Sequence, residues 1–292
     1  MAITTSDDTV VQIRPLTGVL GAEISGLDFA TLDDAGFEIL HAALLDHQVL
    51  VVRNQIMNHD QHLALGARFG PLHIHPAHPP GAEGYPELMA VHADSDSTYI
   101  NGSGWHSDVS CDAEPPSVSI LHINTVPPVG GDTLFADMCA AYDALSAPIR
   151  EMLCGLEAEH TSEQVYRGAY GYSGSARGED SFPVATHPVV RTHPETSRRA
   201  LYVNPAFTRR IKGLRAHESR ALLDLLFAHA VGPQFQCRVA WEPDTVTLWD
   251  NRSVQHHAVW DYYPNVRSGF RVTVRGDAPY FEAEDDQAVG IT

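Results

Sequence analysis

Lysine is almost absent: Lys212 stands alone beside 18 arginines, so nearly every cation here is a planar guanidinium suited to bidentate capture of a carboxylate, sulfonate or phosphate. Positive charge is scarce as a whole. Nineteen Lys and Arg face 37 Asp and Glu, and the net charge of −18 repels polyphosphate, so no nucleic-acid partner is expected. The four cysteines, Cys111, Cys139, Cys154 and Cys237, include no C-x-x-C pair, which suits reduced thiols in a cytosolic protein. No apolar run approaches the roughly 18 residues of a membrane span, and the opening MAITTSDDTVVQ lacks the basic and apolar regions of a secretion signal. A cytoplasmic location without a membrane partner is expected. Internal repeats and Pro/Gly/Ser-rich linkers are also missing, so residues 1–292 are read as a single domain.

What is present is a chain able to build a large core: 292 residues, 43% of them hydrophobic. Helix signals are few. TLDDAGFEILHAALLDH places Phe37, Leu40, Leu44 and Leu45 on one face, and Asn58 caps a run ending at Gly70. A third helix follows Asp137 and breaks near Pro148, and HESRALLDLLFAHA precedes Gly232. Strand-like runs outnumber them: QVLVVR, PELMAV, SVSILHINTV, GDTLFA, ALYVN, DTVTLWD and FRVTVRG. They lack regular strand-helix alternation, so the fold class expected is mainly β with flanking helices, as two packed antiparallel sheets or a jelly roll.

Among 17 histidines, most must be bystanders. A histidine and a carboxylate two residues apart are different, because alternate residues of a strand or turn aim at one point. Three such pairs occur: His92 with Asp94, His106 with Asp108, and His193 with Glu195. Spacing does not choose firmly among them, although His193 sits in a polar THPETSRR turn that reads as solvated, and His106 with Asp108 falls between the GSGW loop and a long strand run. A distant histidine added to such a pair would give two imidazoles and one carboxylate on one face of Fe(II), with three coordination positions open.

Four blocks occur in order: GWHSDVSCDAEPPS, PVGGDTLFADMCAAYDAL, LWDNRSVQHHA and YYPNVRSGFRVTVRGD. Together they resemble the taurine and aryloxyacetate dioxygenase family of Fe(II)- and 2-oxoglutarate-dependent oxygenases. FGPLHIHP, ALYVNPAFTRRI and LLFAHAVGPQFQ bring the chain nearest the taurine-oxidising members. The resemblance implies a double-stranded β-helix (jelly-roll) core and three cofactors or cosubstrates: Fe(II), 2-oxoglutarate and O2. It assigns His106, Asp108 and His256 as metal ligands and catalytic centre, with His257 only a neighbour. It gives Arg267 and Thr133 to the far carboxylate of 2-oxoglutarate, and Arg271 to the acidic group of the primary substrate.

Further substrate contacts implied are His75, His78, Val109 and Phe207, together with Asn101 or its neighbour Gly102. His78 and Cys111 stand where taurine-oxidising members carry tyrosine and phenylalanine, which reshapes the wall opposite Arg271. The spacing adds that Arg267, Arg271 and Arg275 share strand parity, opposite Val272 and Val274, unless Gly269 introduces a bulge. The function implied is hydroxylation of a small anionic organic substrate, a sulfonate of the taurine type, with collapse to an aldehyde and release of sulfite. An alkyl sulfate, an aryloxyalkanoate or another small carboxylate is the alternative, and a homo-oligomer is the expected assembly. Asp108 speaks against a halogenase. A non-redox, cupin-like metal-binding protein is the rival of a different class, and Arg267 with Thr133 argues against it, because only the oxygenase needs a clamp for a second carboxylate.

Overall fold

The computed structural model describes residues 2–4, 10–75, 81–167 and 182–283. Its largest sheet has eight strands, in spatial order Ala2–Thr4, Val10–Pro15, Ala22–Ser25, Val49–Val52, Thr245–Asp250, Pro116–Thr125, Arg267–Arg275 and Met89–Ala93. All neighbours are antiparallel except Ala22–Ser25 and Val49–Val52. A second, three-stranded antiparallel sheet orders Gln236–Val239, Thr133–Asp137 and Val254–Ala258.

Side-chain alternation decides how these layers meet. In the fully buried run VLVV, Val49 and Val51 join Leu121, Ile123 and Trp249 in packing against Phe135, Cys237, Val239 and Val254 of the small sheet. Leu50 and Val52 turn the other way, onto Leu40, Ala43 and Leu44 of the helix Asp34–His47. Each fully buried Leu or Val contributes about 1.5–3 kcal/mol, so the two faces of one short strand hold sheet to sheet and sheet to helix. Beyond the small sheet, the helices Met138–Asp143 and Ala216–Ala230 share a core with Ala136. Two packed sheets with helices outside both is the mainly β, jelly-roll arrangement expected.

Helix boundaries follow their caps. The Asp33 carboxylate accepts from the Gly36 amide, and Asn58 with Gln61 forms a reciprocal capping box at the start of His59–Phe69. Pro148 lies in the first turn of Ala147–Leu153, where its missing N–H costs nothing, and separates that helix from Met138–Asp143. No helix among the described residues is long and apolar enough to cross a membrane.

Several strands were not foreseen. Glu157–Thr161 pairs between Thr208–Ile211 and Val184–Pro188, and Val254–Ala258 (VQHHA) closes the small sheet. These runs are polar or short, and tertiary pairing rather than intrinsic propensity makes them strands.

Candidate metal centre and active site

His256 lies on the strand Val254–Ala258, opposite Phe135, and exchanges backbone hydrogen bonds with His106: His256 N donates to His106 O at 2.8 Å and His106 N donates to His256 O at 3.1 Å. This bridge brings two residues distant in sequence side by side, with ring centroids 4.1 Å apart. Asp108 follows in the turn after His106. Its Oδ1 lies 3.6 Å from Nε2 of His106 and 3.8 Å from Nε2 of His256. One donor atom from each of the three residues lies within 4.8 Å of the others, the only such group of three among the described residues, and all three are buried.

The electrostatics suit a dication. Nδ1 of His106 is 2.7 Å from the Gly104 carbonyl, which only accepts, so Nδ1 donates there and Nε2 is the ring nitrogen turned toward Asp108. Burial pushes the His256 pKa well below the usual imidazole range, with His106 adding to the effect, so this ring is neutral. Burial opposes the charge on Asp108, but the adjacent Arg271 guanidinium outweighs it and holds the carboxyl well below its usual range. Two imidazoles and one carboxylate are the donor set that Fe(II) takes in a facial triad.

The cavity beside this triad holds about 480 Å³. Along Arg267–Arg275, Arg267 and Arg271 both line it, while Val272 and Val274 face away, Val274 reaching the core under the helix His59–Phe69. The sheet register shifts between Ser268 and Gly269, the expected bulge, yet both arginines keep the same face. Gly269 is required there by close approach: a Cβ would stand 2.0 Å from the carbonyl oxygen of His122. Past a second register shift, Arg275 is a surface cation whose Nε donates to Glu114 at 2.7 Å.

Arg267 is 4% exposed and forms no ion pair among the described residues; its guanidinium lies 5.1 Å from the Trp241 ring. Burial lowers its pKa to about 10, and its Nε has no hydrogen-bond partner. Such a desolvated, unpaired cation fits the far carboxylate of 2-oxoglutarate. Thr133 lines the same cavity and accepts a hydrogen bond from Trp241 Nε1 at 3.1 Å, which leaves its own proton to donate. The turn before it needs φ of 80° at Gly130 and 77° at Gly131, open to glycine without strain.

The structure brings most of the expected contacts together. His75, Asn101, Val109, Phe207, Thr133, Arg267 and Arg271 all line one cavity with the triad, as does Gly102. His75 is bonded to the Tyr166 hydroxyl at 3.2 Å. Phe207 serves both readings, as cavity wall and as a core residue packed with Val109, Cys111 and Tyr166. His78 lies outside the described residues. Of the other histidine-acid pairs, His92 with Asp94 is an exposed hydrogen-bonded pair. His193 corrects an expectation: it is buried rather than solvated, and its Nε2 meets the buried Asp250 carboxylate at 2.9 Å while Glu195 pairs with Arg252.

Sequence reasoning missed Tyr166, Trp249, Ser119 and Asn251. Tyr166 and Trp249 line the cavity and carry no local signal. Ser119 and Asn251 are hydrogen-bonded around Asp108, and one signal did exist: Ser119 shares parity with the inward-facing Leu121 and Ile123.

The profile of the taurine catabolism dioxygenase TauD, TfdA family matches residues 12–273. The chain is 37% identical to an alpha-ketoglutarate-dependent sulfonate dioxygenase of Saccharomyces cerevisiae, over 92% of this chain and 68% of that one. It is 35% identical to an alpha-ketoglutarate-dependent sulfate ester dioxygenase of Pseudomonas putida, over 92% of this chain and 91% of that one. A taurine dioxygenase from Burkholderia xenovorans, known as a crystal structure, superposes with a TM-score of 0.79 at 37% identity and 92% coverage of both chains.

Proposed function

The chain belongs to the taurine catabolism dioxygenase TauD, TfdA family, and on that premise we propose that it hydroxylates a small sulfonate of the taurine type at the carbon bearing sulfur. The enzyme is a 2-oxoglutarate-dependent dioxygenase, an oxidoreductase that uses Fe(II), 2-oxoglutarate and O2. The rival reading as a non-redox, cupin-like protein falls with that membership.

One observation carries the substrate reading: two buried arginines, four residues apart on one face of a strand, line the cavity that contains the triad. Arg267 has no ion pair among the described residues and calls for an anion, while Arg271 pairs through Nη1 with Asp108 at 2.7 Å and keeps an unpartnered Nε for a second. Arg267 with Thr133 takes the far carboxylate of 2-oxoglutarate, and Arg271, next to Asp108, takes the acidic group of the substrate. His106, Asp108 and His256 hold Fe(II), which when bound activates O2 while 2-oxoglutarate is converted to succinate and CO2. Arg271 fixes the acidic end of the substrate, so the adjoining carbon is the one presented to the metal face, and Val109 and Phe207 form the apolar wall that limits its tail. Hydroxylation at that carbon gives a hydroxysulfonate that eliminates sulfite and leaves an aldehyde.

A sulfate ester is the second reading, favoured by the likeness to the Pseudomonas putida enzyme, since Arg271 grips sulfate and sulfonate alike. An aryloxyalkanoate or another small carboxylate would use the same clamp. The test is a panel of short-chain sulfonates, alkyl sulfates and aryloxyalkanoates scored for substrate-stimulated succinate. Sulfonates are expected to release sulfite in step with succinate. Stimulation by sulfates alone would move the substrate class, and stimulation by no anion would contradict the reading. A single domain, a cytoplasmic location and a homo-oligomeric assembly complete the proposal, the last checked by light scattering.

A further inference from the structure

Asp108 sits in a closed hydrogen-bond ring that the scheme above leaves unused. Ser119 Oγ donates to Asp108 Oδ2 at 2.6 Å, and Asn251 Nδ2 donates to Ser119 Oγ at 2.8 Å. Oδ1 of Asn251 accepts from the backbone N–H of Asp108 at 3.3 Å and from Trp249 Nε1 at 2.9 Å. Ser119 and Asn251 are fully buried. The directions are forced. Two N–H groups meet the amide oxygen of Asn251, so its NH2 faces Ser119, and the single proton of Ser119 then goes to the carboxylate.

The ring divides the two carboxylate oxygens. Oδ2 is held by Ser119, while Oδ1, which accepts from Arg271 Nη1 at 2.7 Å, is the oxygen nearest the imidazoles of His106 and His256, at 3.6 and 3.8 Å. Nothing regular in the backbone would do this, because Asp108 lies in a turn rather than a strand. The next residue, Val109, has a φ of 45°, an unfavourable conformation for a β-branched side chain that persists only where surroundings impose it. Coordination number makes the division matter. Three protein ligands would leave three positions on Fe(II), 2-oxoglutarate would take two, and a second oxygen from Asp108 would close the last.

We propose that Ser119, oriented by Asn251, is a positioning residue that makes Asp108 a one-oxygen ligand and so keeps a coordination position open for O2. The inference rests on the Fe(II)-centre reading. Its test uses Co(II) as probe, titrated anaerobically into wild type, Ser119→Ala and Ser119→Thr, following both affinity and the visible d–d spectrum. Loss of an outer-shell partner typically costs about ten- to a hundredfold in metal affinity. Ser119→Ala is expected to lose affinity on that scale and to shift its d–d bands from the wild-type positions, as a second Asp108 oxygen replaces a solvent ligand. Ser119→Thr, which keeps the hydroxyl, should retain both wild-type values.

A Ser119→Ala protein equal to wild type in affinity and spectrum overturns the proposal. Should that variant fail to fold, Asn251→Ser, which withdraws the amide from Ser119, replaces it, with a spectral change expected and an unchanged spectrum decisive against. Failure of the underlying reading looks different, because wild type itself would then show no Co(II) spectrum dependent on His106.

Discussion

Nη1 of Arg271 donates to Oδ1 of Asp108 at 2.7 Å, and that oxygen is the one turned toward both imidazoles. The cation assigned to the substrate thus touches the acid assigned to the metal. On the proposed roles, substrate binding and metal binding meet at one atom. Arg271→Ala should leave 2-oxoglutarate binding largely intact while substrate-coupled succinate formation falls by roughly two to three orders of magnitude, the usual cost of truncating a buried charge pair. Equal loss of both would mean that the two arginines have the opposite assignments. Steady-state kinetics in each cosubstrate separates the outcomes.

Thr133 and Arg267 are the proposed clamp for 2-oxoglutarate. A hydrogen bond to a charged group contributes about 1.5–3 kcal/mol, so Thr133→Val is expected to raise the KM for 2-oxoglutarate roughly ten- to a hundredfold. The KM for the primary substrate should change far less. Equal increases in both would place Thr133 outside the cosubstrate clamp.

Two buried histidines away from the metal centre set an acid limit on stability. Burial, reinforced by His122, lowers the pKa of His62 from 6.5 to about 3, and burial with His187 does the same to His160. Between pH 6.5 and about 3 the unfolded chain takes up protons that the folded protein refuses, so stability falls as pH falls through that window and is fully regained above it. Each histidine contributes a slope of roughly 1.4 kcal/mol per pH unit. Urea titrations across the window should show this decline in metal-free protein, and His160→Gln should flatten it. An unchanged slope in that variant would remove His160 from the explanation.

Gly269 joins the two clamps. With its Cβ position 2.0 Å from the His122 carbonyl, Gly269→Ala must push Arg267–Arg275 away from Pro116–Thr125. Overpacking of this kind typically costs about 1–3 kcal/mol. Because Arg267 and Arg271 flank the position on the same strand, the KM for 2-oxoglutarate and that for substrate should rise together, in contrast to the single-clamp variants. Thermal melts and kinetics on one preparation test both effects.

Much of this site is legible in the sequence, for identifiable reasons. The pair His106 and Asp108 is short-range, and the parity of Arg267 and Arg271 survives the bulge between them. Apolar strands such as VLVV and DTVTLWD announce themselves, whereas VQHHA, which carries His256, reads as a polar loop until Thr133–Asp137 supplies its pairing partner. The ring around Asp108 was hidden for another reason. Ser119 looks like an ordinary strand residue and Asn251 like a turn residue, and only their meeting across 132 residues gives either a role. His193 misled in the opposite direction, because its polar neighbours suggested solvent while the turn folds back onto the buried Asp250.

The most direct measurement is an anaerobic titration of Fe(II) and 2-oxoglutarate, followed by the visible metal-to-ligand charge-transfer band of the chelated oxoacid. The account predicts a band in wild type, its loss in His106→Ala, Asp108→Ala and His256→Ala, and its retention in His257→Ala. A band that survives removal of His106 or His256, or that disappears with His257 alone, would contradict it.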